Sequence, residues 1–203
     1  RGSVAGGGII GGLAGPSLNV MFITEIVTRD AMAKTDSFFI RESLTVDNSA
    51  TFAQATIDLG AFVDALGKSV LRIHNIAIML SDDVGNAAQV QASADSAAAQ
   101  FQLTTQTQTD IVLSSDKSVV ASGIIYAVNS FSSDEFPQVY QEMDMLPQQW
   151  TNGYLIGVEQ LYLGGEGSAG WVAADNITFS IVLECTVETL NEKAAMSLAL
   201  SQQ

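Results

Sequence analysis

The feature that most constrains this chain is a period-two alternation near its C-terminus. Ile177, Phe179, Ile181, Leu183, Cys185 and Val187 share one parity, and Thr178, Ser180, Glu184, Thr186 and Glu188 share the other, with Val182 the single exception. Successive side chains of a strand point to opposite faces, so this segment reads as a strand with one face on a core and the other on water or a neighbour. The same period recurs upstream. Phe38, Ile40, Leu44 and Val46 alternate with Phe39, Arg41, Ser43, Thr45 and Asp47, flawed at Glu42. Ala53, Ala55, Ile57, Leu59, Ala61 and Val63 alternate with Phe52, Gln54, Thr56 and Asp58.

Further strands are expected over Val70–Leu80, from Phe101 and Leu103, over Val119–Val128 and Tyr154–Leu163, and more weakly over Phe136–Met145. Val70–Leu80 turns apolar on both faces and closes on the turn-forming string Ser81 to Asn86. Ala87 to Gln100 reads equally as a long loop or a surface helix, and Gly164 to Gly170 as a glycine-rich turn. No βαβ rhythm and no repeated unit appears, so the strands pair antiparallel. The expected fold is all-β, an eight-stranded antiparallel jelly-roll sandwich with a flexible N-terminal arm and short terminal helices.

The ends differ from the body. Gly2 to Ile23 carries no charge and is rich in glycine, with Gly7, Gly11 and Gly15, and Gly8 and Gly12, spaced by four. That spacing suits close helix packing in a bilayer, but the glycines and Pro16 disfavour a lipid-crossing helix, and no basic cluster precedes an apolar block as in a signal peptide. The expectation is an assembly arm over 1–19, carried by Gly7, Gly8, Gly11, Gly12, Gly15 and Leu18, that orders against a neighbour. A short helix follows over 20–34, with Val20, Ile23, Ile26, Val27 and Ala31 on one face. The sandwich occupies 35–190, and a C-terminal helix or tail 191–203 offers Leu190, Met196 and Leu198 as an interface.

Composition narrows the function. The 203 residues hold 8 Lys and Arg against 22 Asp and Glu, a net charge of −14, which excludes a nucleic-acid binder held by clustered basic residues. One cysteine excludes an internal disulfide and a cysteine zinc site, and one histidine leaves little for a catalytic metal. Only 15% of residues are charged, against about 25% in an ordinary soluble domain. Such a surface is inexpensive to desolvate, so much of it is expected to be covered by copies of the same chain.

Apparent motifs carry little chemistry. Gly165-Glu166-Gly167-Ser168-Ala169-Gly170 matches G-x-G-x-x-G, but Trp171 to Asn176 and then a strand follow where a dinucleotide site needs a helix. His74 reads as a surface or interface residue on the face of Arg72 and Ile76, and Cys185 as a small core hydrophobe. Glu184 and Glu188 share a face roughly 13 Å apart, too far for a glycosidase pair. Asp82-Asp83 and Asp134-Glu135 could offer oxygens to a divalent cation without an EF-hand pattern. Asn176-Ile177-Thr178 fits a glycosylation acceptor. Trp150, Tyr154, Tyr162 and Trp171 bracket one strand and its loops, and Trp150, Tyr154 and Trp171 are the candidate ligand-stacking aromatics. No catalytic residue, metal site or cofactor is expected.

An uncharged arm, a short helix and eight strands in this order resemble the single jelly-roll major capsid proteins of icosahedral viruses. On that resemblance Phe38–Val46 corresponds to strand B, Thr51–Val63 to C, Val70–Leu80 to D and Gln100–Thr107 to E. Val119–Val128 corresponds to F, Phe136–Met145 to G, Tyr154–Leu163 to H and Ile177–Thr189 to I. The resemblance implies a non-enzymatic viral structural protein, located in the virion, that self-assembles into an icosahedral shell of its own copies. Other capsid proteins and the lipid of an internal membrane are further partners it suggests. One departure stands out: Arg1 is the only charge before Glu25, so no basic arm binds nucleic acid directly. The acidic balance is similar to capsids that enclose a membrane or that work in saline settings. The alternatives are a secreted, cell-surface β-sandwich, either a filament subunit with a donor-strand arm or a carbohydrate-binding module.

Overall fold

The cleanest alternation in the sequence becomes the inner strand of a sheet. In the computed structural model, β9 (Ile177–Thr189) lies between β1 (Phe38–Val46) and β3 (Ser69–Asp82), and β7 (Tyr154–Ile156) pairs beyond β3. The second sheet runs β2 (Ala53–Asp58), β8 (Gln160–Gly167), β4 (Ser96–Thr104), β5 (Val119–Val128) and β6 (Gln138–Tyr140). The structure describes residues 36–64, 68–90, 96–128, 138–140, 150–171 and 176–203. The arm over 1–19, the helix expected over 20–34 and the Asp134-Glu135 turn lie outside them.

The pairing pattern defines the fold. β4 pairs with β5, β3 with β7, β2 with β8 and β1 with β9, all antiparallel. Each pair encloses the previous one in sequence, so the chain is a single long antiparallel ribbon. Ladders between β3 and β9 and between β4 and β8 join alternate pairs into two sheets. That is a jelly-roll β-sandwich, with a short extra strand, β6, beside β5.

Three strands, β1, β5 and β9, have the ends expected from the sequence. Of the expected strand over Phe136–Met145, Gln138–Tyr140 form β6, and 136–137 and 141–145 lie outside the described residues. Its expected place as strand G is corrected, since the partner of β3 is β7 and β6 pairs with β5. The expected Tyr154–Leu163 strand divides into β7 and β8. At the break, the Gly157 N–H donates to Gln202 Oε1 at 2.8 Å, and a Cβ there would stand 3.0 Å from Leu198 Cγ. The chain therefore leaves one sheet for the other where the C-terminal helix presses on it.

The glycine-rich turn is a second correction: Gly164, Gly165 and Gly167 lie inside β8. Phe101 of β4 sits opposite Gly165 on one side and Gly123 on the other. A Cβ on Gly123 would lie 2.5 Å from Phe101 Cε1, and one on Gly165 2.9 Å from Phe179 Cε2. The missing side chains make room for these two rings, whose centroids are 5.9 Å apart at the centre of the core. Burying one such ring stabilises by about 1.5–3 kcal/mol.

The ambiguous Ala87 to Gln100 stretch is partly strand, because β4 starts at Ser96. Its Ala97 and Ala99 face the core that also holds Trp171. Trp171 is 1% exposed and its Nε1–H donates to Ala98 O at 2.9 Å.

β3 carries a β-bulge between Ile73 and Asn75, around His74. Leu71 and Ile73 point inward before it, Ile76 after it, with His74 and Asn75 both exposed. The bulge shifts the inward parity, so Ile76 is buried while His74 faces out, and the two do not share a face. The helix α1 (Glu192–Ser201) closes the chain. The Asn191 side chain caps it by accepting from the Ala194 N–H at 2.9 Å. Ala195 and Ala199 are its buried residues.

Candidate functional site

Two surfaces of the sandwich concentrate chemistry of interest: the outer face of the β4–β5–β8 sheet and a cleft beside β3 and β7. On the first, outward positions of β5 are Ile124, Tyr126 and Val128, all exposed. Their ladder partners on β4 are Gln100, Ala98 and Ser96. Apolar residues thus occupy both faces of β5, because Ile125 and Ala127 on the other parity are core. A strand apolar on both faces calls for cover on both.

One half of this face is already covered by the β4–β5 connection. Gln102 Nε2 donates to Val112 O, and the Val112 N–H donates to Gln102 Oε1 at 2.9 Å. Ser114 and Ser122 hydroxyls bond at 3.0 Å. Among the described residues the other half is a shallow groove between Ala50, Ala98, Ile124, Tyr126 and Ser168. The one charge among its lining residues, Glu166, accepts from Gln100 Nε2 at 3.3 Å. The outer face of the first sheet is similarly sparse in charge. Across β1, β9 and β3 its rows are Phe39–Glu184–Asn75, Arg41–Val182–Ala77 and Ser43–Ser180–Met79, with the Arg41 guanidinium 5.4 Å from the Phe39 ring centroid.

The cleft is built differently. The Arg72 guanidinium grips the Glu188 carboxylate in a fork, Nε to Oε1 and Nη2 to Oε2, the latter at 2.8 Å, and Nη1 donates to Asn152 O. The hydrogen bond to Glu188, with its negative charge, raises the Arg72 pKa against the opposing effect of burial. His74 Nε2 and Thr186 Oγ1 are 2.9 Å apart. Trp150 and Tyr154 pack as a tilted pair with centroids 5.1 Å apart. Gly153 has φ +73°, and a Cβ there would lie 2.5 Å from Ile73 O. Only glycine lets the 150–153 turn come this close to β3. Arg72, His74, Trp150, Thr151, Asn152, Gly153 and Glu188 line the resulting open cleft of about 540 Å3.

Of the expected site residues, Gly7, Gly8, Gly11, Gly12, Gly15 and Leu18 lie outside the described residues. Leu190 is half-buried and its N–H donates to Lys68 O at 2.8 Å. Leu198 is half-buried beside Gly157, so it seats the helix on its own sandwich. Met196 is 47% exposed and Leu200, one turn on, 65%. The aromatics divide. Trp150 and Tyr154 meet at the cleft, whereas Trp171 as a surface aromatic is corrected, since it belongs to the core.

Other candidates resolve into structure. Burial and then the Glu184 charge push the Cys185 thiol up to about 12, which keeps it protonated and unreactive at neutral pH. Asp82 accepts from the Val84 and Asn86 N–H groups and from Asn86 Nδ2, stapling its own turn. Desolvation works against the ionised form, but these hydrogen bonds outweigh it and lower the Asp82 pKa. Ser118, donating from Oγ and N–H, lowers that of Asp116. Among the described residues no group of three or more His, Cys, Asp or Glu side chains is placed to hold a metal ion. Nor is any helix there long and apolar enough to cross a membrane.

Sequence reasoning named Trp150 and Tyr154 at the cleft but missed its other groups and the outward row of β5. The outward row of β5 was signalled by apolar residues at 124, 126 and 128 in a run already apolar at 125 and 127. The Arg72–Glu188 pair had no local signal, because its partners are 116 residues apart.

No family model matches the chain, and no curated protein does. Among solved structures it is similar to an empty head of turnip yellow mosaic virus, at 11% identity over 94% of this chain and 92% of that one, with a TM-score of 0.28. A second turnip yellow mosaic virus structure shares 9% identity over 94% of each chain at a TM-score of 0.30. Desmodium yellow mottle tymovirus shares 9% over 93% of this chain and 100% of that one at 0.26. At such scores the likeness carries no argument about what the chain does.

Proposed function

We propose that this chain is a structural subunit of a viral capsid, a tile that assembles with its own copies into an icosahedral shell. The observation that carries this reading is the open, uncharged row Ile124, Tyr126 and Val128 on a chain of net charge −14. Copies so acidic repel one another, and contact is favourable only where charge is absent and apolar area can be buried. The jelly-roll sandwich buries its own sheets and supplies a rigid body. The arm, residues 1–19, is charged only at Arg1 and rich in glycine, and on this reading it docks on a neighbour as a tie between tiles.

On this reading the protein resides in the virion and its role is mechanical, not enzymatic. The lattice leaves room for other capsid proteins as partners, and the arm suits the lipid of an internal membrane better than a packaged nucleic acid, having no basic cluster to neutralise phosphate. The test is electron microscopy of the purified chain at high concentration. Closed shells are expected, and deleting residues 1–18 should abolish them while leaving the β circular-dichroism signal intact. Fibres would instead favour a filament subunit, and dispersed single copies under all salts would sink the reading.

A further inference from the structure

We propose that the cleft beside Trp150 is a binding site for a neutral pyranose, a function separate from shell contacts. Three features of the fold converge on it. The alternation of β3 puts Arg72 and His74 on its outward face, the positive φ of Gly153 brings the 150–153 turn against β3, and the Arg72 fork fixes Glu188 and the Asn152 carbonyl in place. A β-bulge between Ile73 and Asn75 sits beside these groups, and bulges are over-represented next to functional sites.

The chemistry selects the ligand. A pyranose has an apolar C–H face and a rim of hydroxyls. The half-buried Trp150 indole, packed beside Tyr154 at 5.1 Å, is the aromatic side chain in the cleft's lining, apolar with a polar tip. Around it stand donors on Arg72 and His74 and a carboxylate acceptor on Glu188, the mixed set that hydroxyls require. Arg72 and Glu188 neutralise each other in a fork, so the cleft has no unpaired guanidinium of its own for a carboxylate or phosphate group. That argues for an uncharged sugar over an acidic one. The volume of about 540 Å3 falls in the range of small-ligand sites.

The probes are a neutral-glycan array followed by titration of the methyl glycosides of glucose, galactose and mannose into the unassembled chain, read by tryptophan fluorescence. The chain has two tryptophans and Trp171 is buried, so a surface ligand reports through Trp150. One neutral glycoside is expected to shift the emission saturably in the millimolar range. His74→Ala, at an exposed position, should weaken it roughly five- to tenfold, the worth of one hydrogen bond, and Trp150→Ala should abolish it. No array hit and no saturable shift overturns the proposal. So does an unchanged affinity in His74→Ala, which avoids any folding defect from Trp150→Ala. Saturation by N-acetylneuraminate but by none of the neutral glycosides would overturn the neutral class. None of these outcomes depends on whether shells form.

Discussion

Cys185 shows how a small hydrophobe read from strand parity becomes an inert thiol in the fold. It lies fully buried on the inward parity of β9, and its thiol is pushed up to about 12. A folded pKa above the unfolded value of about 8.5 means the stabilising effect of the neutral thiol is complete below that value and is lost as pH rises toward the folded one. Stability to urea is therefore expected to fall from about pH 8.5 upward, and a Cys185→Ala variant should flatten that alkaline limb. Ellman's reagent should react with the native thiol only at the rate of unfolding. Gly153 is a second residue-scale case. Alanine there must adopt φ +73° with its Cβ 2.5 Å from Ile73 O, which is expected to cost about 2 kcal/mol. A thermal melt should show a Tm lower by about 4–8 °C.

At the scale of elements, β3 is the informative strand. Its inward residues are Leu71 and Ile73, then Ile76, Ile78 and Leu80, and His74 is the extra residue that shifts the parity. Deleting His74 places Ile73, Ile76, Ile78 and Leu80 on one face of a regular strand without altering any of them. The partner residues Cys185 and Glu184 are already consecutive, so the ladder closes without further change. The deletion is expected to keep the fold, with Tm within a few degrees, while removing one wall of the Trp150 cleft. A collapse of the β circular-dichroism signal would show instead that the bulge is needed for folding. Bulges generally raise local twist and interrupt pairing, so a fold that keeps one where a regular strand would do has a use for it beyond stability.

For the whole molecule, the balance lies between long-range repulsion and short-range burial. A net charge of −14 opposes association most strongly in dilute salt, where the screening length is about 30 Å at 0.01 M against about 8 Å at 0.15 M. Self-association is expected to strengthen across that range, as sedimentation velocity would read it. Tyr126→Glu, at a position 46% exposed and outside the core, should block association while shifting stability by less than about 0.5 kcal/mol. Assembly unchanged in Tyr126→Glu would remove the β5 face from the contact.

What the sequence determined by itself was whatever depends on local periodicity. The inward parity of β1 and β9 is legible because a strand alternates with a period of two whatever it pairs with. The core roles of Cys185 and Ile177 follow from the same count, as does the sparse charge. Only the tertiary structure decided which strands are neighbours, because pairing partners such as Phe38 and Cys185 lie far apart in the chain. It also decided that Gly165 serves a ring packed across the sheets and not a phosphate, that Trp171 is core while Trp150 borders an open cleft, and that Arg72 meets Glu188. Each of these depends on what stands opposite a residue in space, and no property of the residue or its sequence neighbours carries that information.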